Sequence, residues 1–155
     1  MGYAKVVNFT SGDGKKFFVS LLCLFCAALV LASCSASQPS VTTWASGNSF
    51  SANNSQVLTD ITGIKNGIRL KELEQLHTVC EALAADASTV YQSLPTPVPA
   101  LTQAFSKAYN ALAQAGHTCY YAPSFSSLQM AKFKKQFFAA QADLSSAMAL
   151  YNTFG

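Results

Sequence analysis

The chain has 155 residues, of which 50% are hydrophobic and 11% are charged, and its formal net charge is +3. Three of the ten basic residues and one of the seven acidic residues lie within the first 16 positions. The rest of the chain therefore has seven basic and six acidic residues. A nearly neutral body of this size fits one domain and gives no case for nucleic-acid binding. Since G-x-S-x-G, glycine-rich phosphate-loop and H-E-x-x-H motifs are all missing from the sequence, we expect no enzyme and no cofactor.

The N-terminal region combines a positive start with an apolar stretch. Lys5, Lys15 and Lys16 outnumber Asp13, and residues 17–32 then carry no charge. Sixteen apolar residues fall short of the ~20 that a membrane-spanning helix needs and are typical of a signal-peptide core. We therefore interpret residues 1–33 as an export signal.

Residues 31–34 read LASC, at the end of the apolar stretch. This motif resembles the lipobox of bacterial lipoproteins. The resemblance implies cleavage between Ser33 and Cys34, a diacylglyceryl group on the Cys34 sulfur, and anchoring on the extracytoplasmic side of the cell membrane. Two alternatives are an ordinary secretory signal cut near Ala36 and an uncleaved anchor helix.

The next segment, residues 34–55, is rich in serine, asparagine and other small or polar residues. Such a composition buries too little apolar surface to offset the entropy of ordering, so it predicts a flexible tether. Trp44 and Phe50 are the exceptions. They fit an unstructured tether, docking on the domain or a position at the membrane interface.

Residues 56–155 are predicted to form a helical domain, because three apolar stripes alternate spacings of three and four residues. The first stripe comprises Leu73, Leu76, Cys80, Leu83, Ala87, Val90 and Leu94. The second comprises Leu101, Phe105, Ala108, Leu112 and Ala115. The third comprises Met130, Phe133, Phe137, Ala140, Leu144, Ala147 and Tyr151.

Helix boundaries follow from the residues between the stripes. Pro95 is predicted to end the first helix, and Thr96 and Pro97 to cap and start the second. Gly116 is predicted to end the second helix.

The start of the third helix carries the strongest local signal. Ser126 and Gln129 have the spacing of a capping box, and Phe125 is placed to contact Met130 as a hydrophobic staple.

Short connections make successive helices antiparallel, so these patterns predict an all-α, up-down-up three-helix bundle. An apolar pattern also precedes the first stripe, but Gly63 and Gly67 weaken it. The first helix therefore begins near residue 56 with a kink, or a short separate helix packs across the bundle.

Cys80 and Cys119 are the cysteines of the predicted domain, and in an exported protein such a pair predicts a disulfide. Each has a histidine beside it, His77 and His117. Two thiolates and two imidazoles would suit tetrahedral zinc or reduced copper, so a metal site is the alternative to the disulfide. Unpaired thiols, and a haem held by both histidines, are the remaining possibilities.

Other polar features give weaker signals. Lys132, Lys134 and Lys135 form a basic cluster that fits a solvated face or contact with anionic lipid headgroups. Tyr120 and Tyr121 either line a ligand pocket or cover the end of the bundle. No acid/base pair stands out among the carboxylates of the domain, which are Asp60, Glu72, Glu74, Glu81, Asp86 and Asp143.

Together these patterns predict a membrane-anchored envelope lipoprotein with lipid on Cys34 and a Cys80–Cys119 disulfide. Its expected role is a non-catalytic binding module that meets a protein partner in the cell envelope. The alternative is a metal-binding envelope lipoprotein that uses His77, Cys80, His117 and Cys119.

Overall fold

The computed structural model describes residues 39–122 and 126–154, and these residues form helices without any strand. The five helices are α1 (Val41–Gly47), α2 (Phe50–Leu70), α3 (Leu73–Gln92), α4 (Pro99–Tyr120) and α5 (Ser127–Tyr151). The predicted all-α class is confirmed, but a three-helix bundle is not, because five helices are found. The predicted signal peptide and Cys34 lie outside the described residues.

The start of the domain differs from the prediction of a flexible tether over residues 34–55. Of this segment, the structure describes residues 39–55, and most of them lie in α1 and α2. Trp44 is 7% exposed and Phe50 is 1% exposed, and their ring centroids are 5.0 Å apart. The tether prediction is wrong for this part, because burial of these two aromatic side chains offsets the cost of ordering a polar segment.

Phe50 joins α1 to the core of the bundle. Its ring centroid lies 5.0 Å from that of Phe105 on α4 and 5.4 Å from that of Tyr151 on α5. The side chain of Ser40 caps α1 by accepting a hydrogen bond from the backbone N–H of Thr43 at 3.1 Å. Helix α1 thus packs against the bundle through Trp44 and Phe50, and Ser40 caps its N-terminus.

Helix α2 is a separate helix of 21 residues that ends at Leu70, and its C-terminal cap, Lys71, has a left-handed backbone with a φ of 61°. Gly63 and Gly67 lie inside it because they face α3 closely. A Cβ atom on Gly67 would lie 3.3 Å from Cβ of Leu76, and one on Gly63 would lie 2.9 Å from a methyl carbon of Val79. Of the two alternatives for this region, the structure agrees with a helix separate from α3, but that helix is 21 residues long and not short as predicted.

The three predicted stripes form most of the core. Every member of the second stripe is buried, as are Leu76, Cys80, Leu83, Ala87 and Val90 of the first and Phe133, Phe137, Ala140, Leu144 and Ala147 of the third. Leu94 of the first stripe and Met130 and Tyr151 of the third are half-buried and pack against this core. Leu73 is 48% exposed at the start of α3.

Both predicted ends of the second helix are wrong. Helix α4 starts at Pro99, since proline suits the first helical position. The Thr96 hydroxyl does not cap the helix but donates to the carbonyl of Val98 at 2.8 Å within the preceding loop. The helix continues past Gly116 to Tyr120. A Cβ atom on Gly116 would lie 2.7 Å from the carbonyl oxygen of Cys80, so this glycine permits a close backbone approach between α3 and α4.

The capping box at the start of α5 is confirmed. The Ser126 hydroxyl accepts from the backbone N–H of Gln129 at 3.2 Å, and the Gln129 side chain accepts from the backbone N–H of Ser126 at 3.1 Å. The predicted staple depends on Phe125, which lies outside the described residues.

The helices pack in chain order, with α2 against α3, α3 against α4, and α4 against α5. The first and last long helices, α2 and α5, are not in similarly close contact over their described lengths. A groove lies between them.

Candidate functional site

The Cys80–Cys119 disulfide joins α3 to α4 in the core. The two Cα atoms are 5.8 Å apart, and both cysteines are fully buried. The predicted disulfide is therefore confirmed. A buried disulfide is shielded from solution thiols, so its role here is structural.

The four residues of the alternative metal site are not assembled as a ligand set. Both sulfurs are used by the disulfide, and the imidazoles differ in environment, since His77 is half-buried on α3 and His117 is exposed on α4. The His117 ring stacks on Tyr121 with centroids 5.9 Å apart. Within residues 39–122 and 126–154, no group of three or more His, Cys, Asp or Glu residues has a metal-binding arrangement.

Tyr120 and Tyr121 line a small cavity of about 200 Å³ beside His117 and Glu81. Tyr121 is 72% exposed, and its ring packs edge-on against that of Tyr120 with the centroids 4.9 Å apart. Ligand pockets usually measure about 300–1,000 Å³. This cavity is below that range, so we do not assign a ligand to it.

A carboxyl pair between α2 and α3 was not predicted from the sequence. Asp60 on α2 is only 5% exposed and accepts a hydrogen bond from the Gln56 amide at 3.4 Å. Burial, followed by the neighbouring Asp86 carboxyl on α3, raises the pKa of Asp60 from 3.8 to about 6. The signal was present in the sequence, because Asp60 lies between Val57 and Ile64 on the apolar side of its helix.

The raised pKa of Asp60 makes the free energy of unfolding depend on pH. Between pH 3.8 and about 6 the folded state holds a proton that the unfolded state releases, so stability falls as pH rises through this window. We expect Asp60→Asn to increase the free energy of unfolding at pH 7 by about 1–2 kcal/mol and to leave it nearly unchanged at pH 4. Urea unfolding at the two pH values measures this.

Glu74→Gln is the matched control for Asp60→Asn, because it removes an exposed carboxylate from the same pair of helices. It should leave the pH dependence of unfolding as it is in the parent protein. If Asp60→Asn also left that dependence unchanged, Asp60 would not be the group responsible.

The groove between α2 and α5 contains two cavities that follow one another along the helices. The first has a volume of about 390 Å³, with Ile61 and Leu144 in its lining. The second has about 490 Å³ and is lined in part by Ile68, Leu73 and Met130. Both volumes are in the range of ligand-binding sites, and the linings are mainly apolar.

Positive charge is concentrated on the two helices that form this groove. Of the seven basic residues after Cys34, six lie on α2, its C-terminal cap and α5, namely Lys65, Arg69, Lys71, Lys132, Lys134 and Lys135. Three of them line the groove, and no carboxylate is among its described lining residues. Residues 72–92 show the opposite pattern, with four acidic residues and no Lys or Arg.

The acidic residues of α2 and α5 do little to offset this charge. Asp143 on α5 forms an ion pair with Lys107 on α4, with Nζ and Oδ1 2.8 Å apart. Asp60 is buried against α3. The groove therefore combines an apolar lining with exposed positive charge.

No protein-family model, curated protein or solved structure matches this chain. Within the described part of the chain, no helix combines the length and apolar character that crossing a bilayer requires.

Proposed function

We propose that this protein is a bacterial envelope lipoprotein, anchored on the extracytoplasmic side of the membrane through Cys34, and that its helical domain is a non-catalytic binding module. The anchoring rests on the LASC motif at residues 31–34. The buried Cys80–Cys119 disulfide supports an oxidising compartment outside the cytoplasm.

The groove between α2 and α5 is the observation that carries the binding role. Its two cavities are lined by partly exposed apolar residues, including Leu58 at 44% exposure and Leu73 at 48%. Contiguous exposed apolar surface is characteristic of interaction sites.

A lipid on Cys34 would hold this domain close to the membrane. Six residues separate Cys34 from α1, and a fully extended segment of this length reaches about 25 Å at most. The domain would thus act near the headgroups, and its partner would be an envelope protein in the same layer.

The anchor is tested by expressing the full chain in a bacterium and measuring the mass of the membrane-extracted protein. We expect a mature N-terminus at Cys34 that carries lipid, and we expect Cys34→Ala to abolish this modification. Cys26→Ala, inside the apolar stretch of the signal, is the matched control and should remain lipidated. An unmodified Cys34 in the mature protein would contradict the proposed anchor.

The binding role is tested in the same cells with a photoreactive amino acid at Thr62 or Ser145, both exposed in the groove. We expect the same discrete cross-linked product from both positions. Thr89, exposed on α3, is the control position and should not give that product. Absence of a product from both groove positions, or equal cross-linking from all three positions, would contradict the role of the groove.

A further inference from the structure

The chemistry of the groove limits what it binds. A suitable ligand has an apolar side that fits the cavities lined by Ile61, Ile68 and Met130. It also has negative charge that can reach Lys65, Lys71 and Lys134. The domain as a whole is nearly neutral, so this preference for anions comes from the local arrangement of charge and not from net charge.

The shape of the groove favours a helix over a flat lipid surface. The lining extends along α2 from Leu58 to the C-terminal cap at Lys71, which is about 20 Å at 1.5 Å per residue. This length matches about four turns of a ligand helix. A concave groove between two helices receives a rod-shaped ligand, whereas a flat bilayer surface would leave its floor uncovered.

The positions of the basic residues also favour a ligand helix over a flat lipid surface. Lys71 and Lys134 lie at the end of the groove formed by the C-terminus of α2 and the N-terminus of α5. Helix α1, which follows the anchor segment, packs at the opposite end through Trp44, Phe50 and Tyr151. Lys134 is half-buried in the lining, so its side chain borders the space that a ligand helix would occupy.

We propose that the groove between α2 and α5 binds an acidic amphipathic helix of a protein partner. The apolar face of that helix fills the two cavities, and its acidic residues pair with Lys65, Lys71 and Lys134. Recognition of this kind uses apolar residues at i, i+3, i+4 and i+7 as anchors. This inference rests on the proposed binding role and names the class of partner.

The test measures fluorescence anisotropy of two labelled peptides of about 16 residues with the unlipidated domain, residues 36–155, which contains the compact unit from Pro39 onward. Both peptides carry leucines at the anchor spacing, flanked by glutamate in one and by lysine in the other. We expect the glutamate peptide to bind at least about tenfold more tightly than the lysine peptide.

Two variants of the domain with the same change in net charge locate the binding site. Lys65→Glu with Lys134→Glu reverses charge in the groove lining, and Lys132→Glu with Lys135→Glu reverses charge on α5 outside it. We expect the first pair to weaken binding of the glutamate peptide by about tenfold or more, and the second by less than about threefold. Lys65→Glu alone, at an exposed position, gives the same direction of change if the double variant does not fold.

Three results would overturn the inference. They are no binding of the glutamate peptide, equal weakening by both double variants, and binding of the domain to phosphatidylglycerol vesicles that both double variants abolish. The last result would assign the basic residues to a lipid surface. If the groove positions still cross-link to one product in cells, the binding role stands and only the acidic helix is refuted. If that product is also absent, both proposals fail.

Discussion

Replacing both Cys80 and Cys119 with alanine is expected to lower the free energy of unfolding by about 4 kcal/mol. The disulfide closes a loop between positions that are 39 residues apart, and the chain-entropy model gives a loss of this size for such a loop. Domains of this length usually have a net stability of about 5–15 kcal/mol, so the change removes a large share of it. Urea unfolding followed by circular dichroism measures the effect.

The parent protein unfolded with a reductant is the control, because it loses the same covalent bond without a change in sequence. The reduced parent and the double variant should have similar stabilities. The oxidised domain, residues 36–155, should resist thiol alkylation, because Cys80 and Cys119 are its only cysteines. If the oxidised parent and the double variant unfolded at the same urea concentration, the stabilising role of the disulfide would be refuted. Reactive thiols in the exported parent, together with a bound metal, would instead support the metal-binding alternative.

Replacing Gly116 with alanine is expected to lower the free energy of unfolding by about 1–2 kcal/mol. Its Cβ atom would lie 2.7 Å from the carbonyl oxygen of Cys80 and 2.8 Å from the backbone nitrogen of Ala84. Both neighbours are backbone atoms of α3, so α3 and α4 have to move apart, and overpacking of this kind outweighs the gain of about 1 kcal/mol in helix propensity. Thermal and urea unfolding measure the loss.

Gly47→Ala is the matched control, since Gly47 is also in a helix and a Cβ atom there meets nothing within 4 Å. That substitution should leave stability unchanged or raise it slightly. Equal stabilities of the Gly116 and Gly47 variants would show that α3 and α4 do not depend on the close approach at Gly116.

The sequence was sufficient to predict the parts of the fold that depend on local patterns. The three-and-four spacing identified the buried faces of α3, α4 and α5, and the spacing of Ser126 and Gln129 located the start of α5. These signals work because helical periodicity and capping involve residues that are close in the chain. The disulfide was also predictable, since antiparallel packing of two helices brings Cys80 and Cys119 together.

The errors arose where tertiary contacts override local signals. Gly116 has the residue type of a helix end, but it lies within α4 because α3 passes close to it. The segment with Trp44 and Phe50 has a disordered composition, but its two aromatic side chains are buried at the end of the bundle.

The candidate site was the least predictable feature. The groove is formed by α2 and α5, which are far apart in the chain, and the sequence left the form of α2 open. The basic cluster on α5 is visible in the sequence, but whether it lies near Lys65 and Lys71 depends on how the helices are arranged. The Asp60–Asp86 pair was missed for the same reason, since its two carboxyls belong to different helices.

The disulfide divides the domain into a covalently closed inner pair, α3 and α4, and two outer helices that are held by noncovalent contacts alone. Each outer helix can therefore undergo local opening while the inner pair keeps its hydrogen-bonded structure. A ligand helix bound in the groove would touch both outer helices at once and add to the few contacts that they make with each other, which include Phe50 with Tyr151 and Asn54 with Met148. Binding would then suppress local opening in both outer helices, and the ligand helix would complete the bundle in the complex.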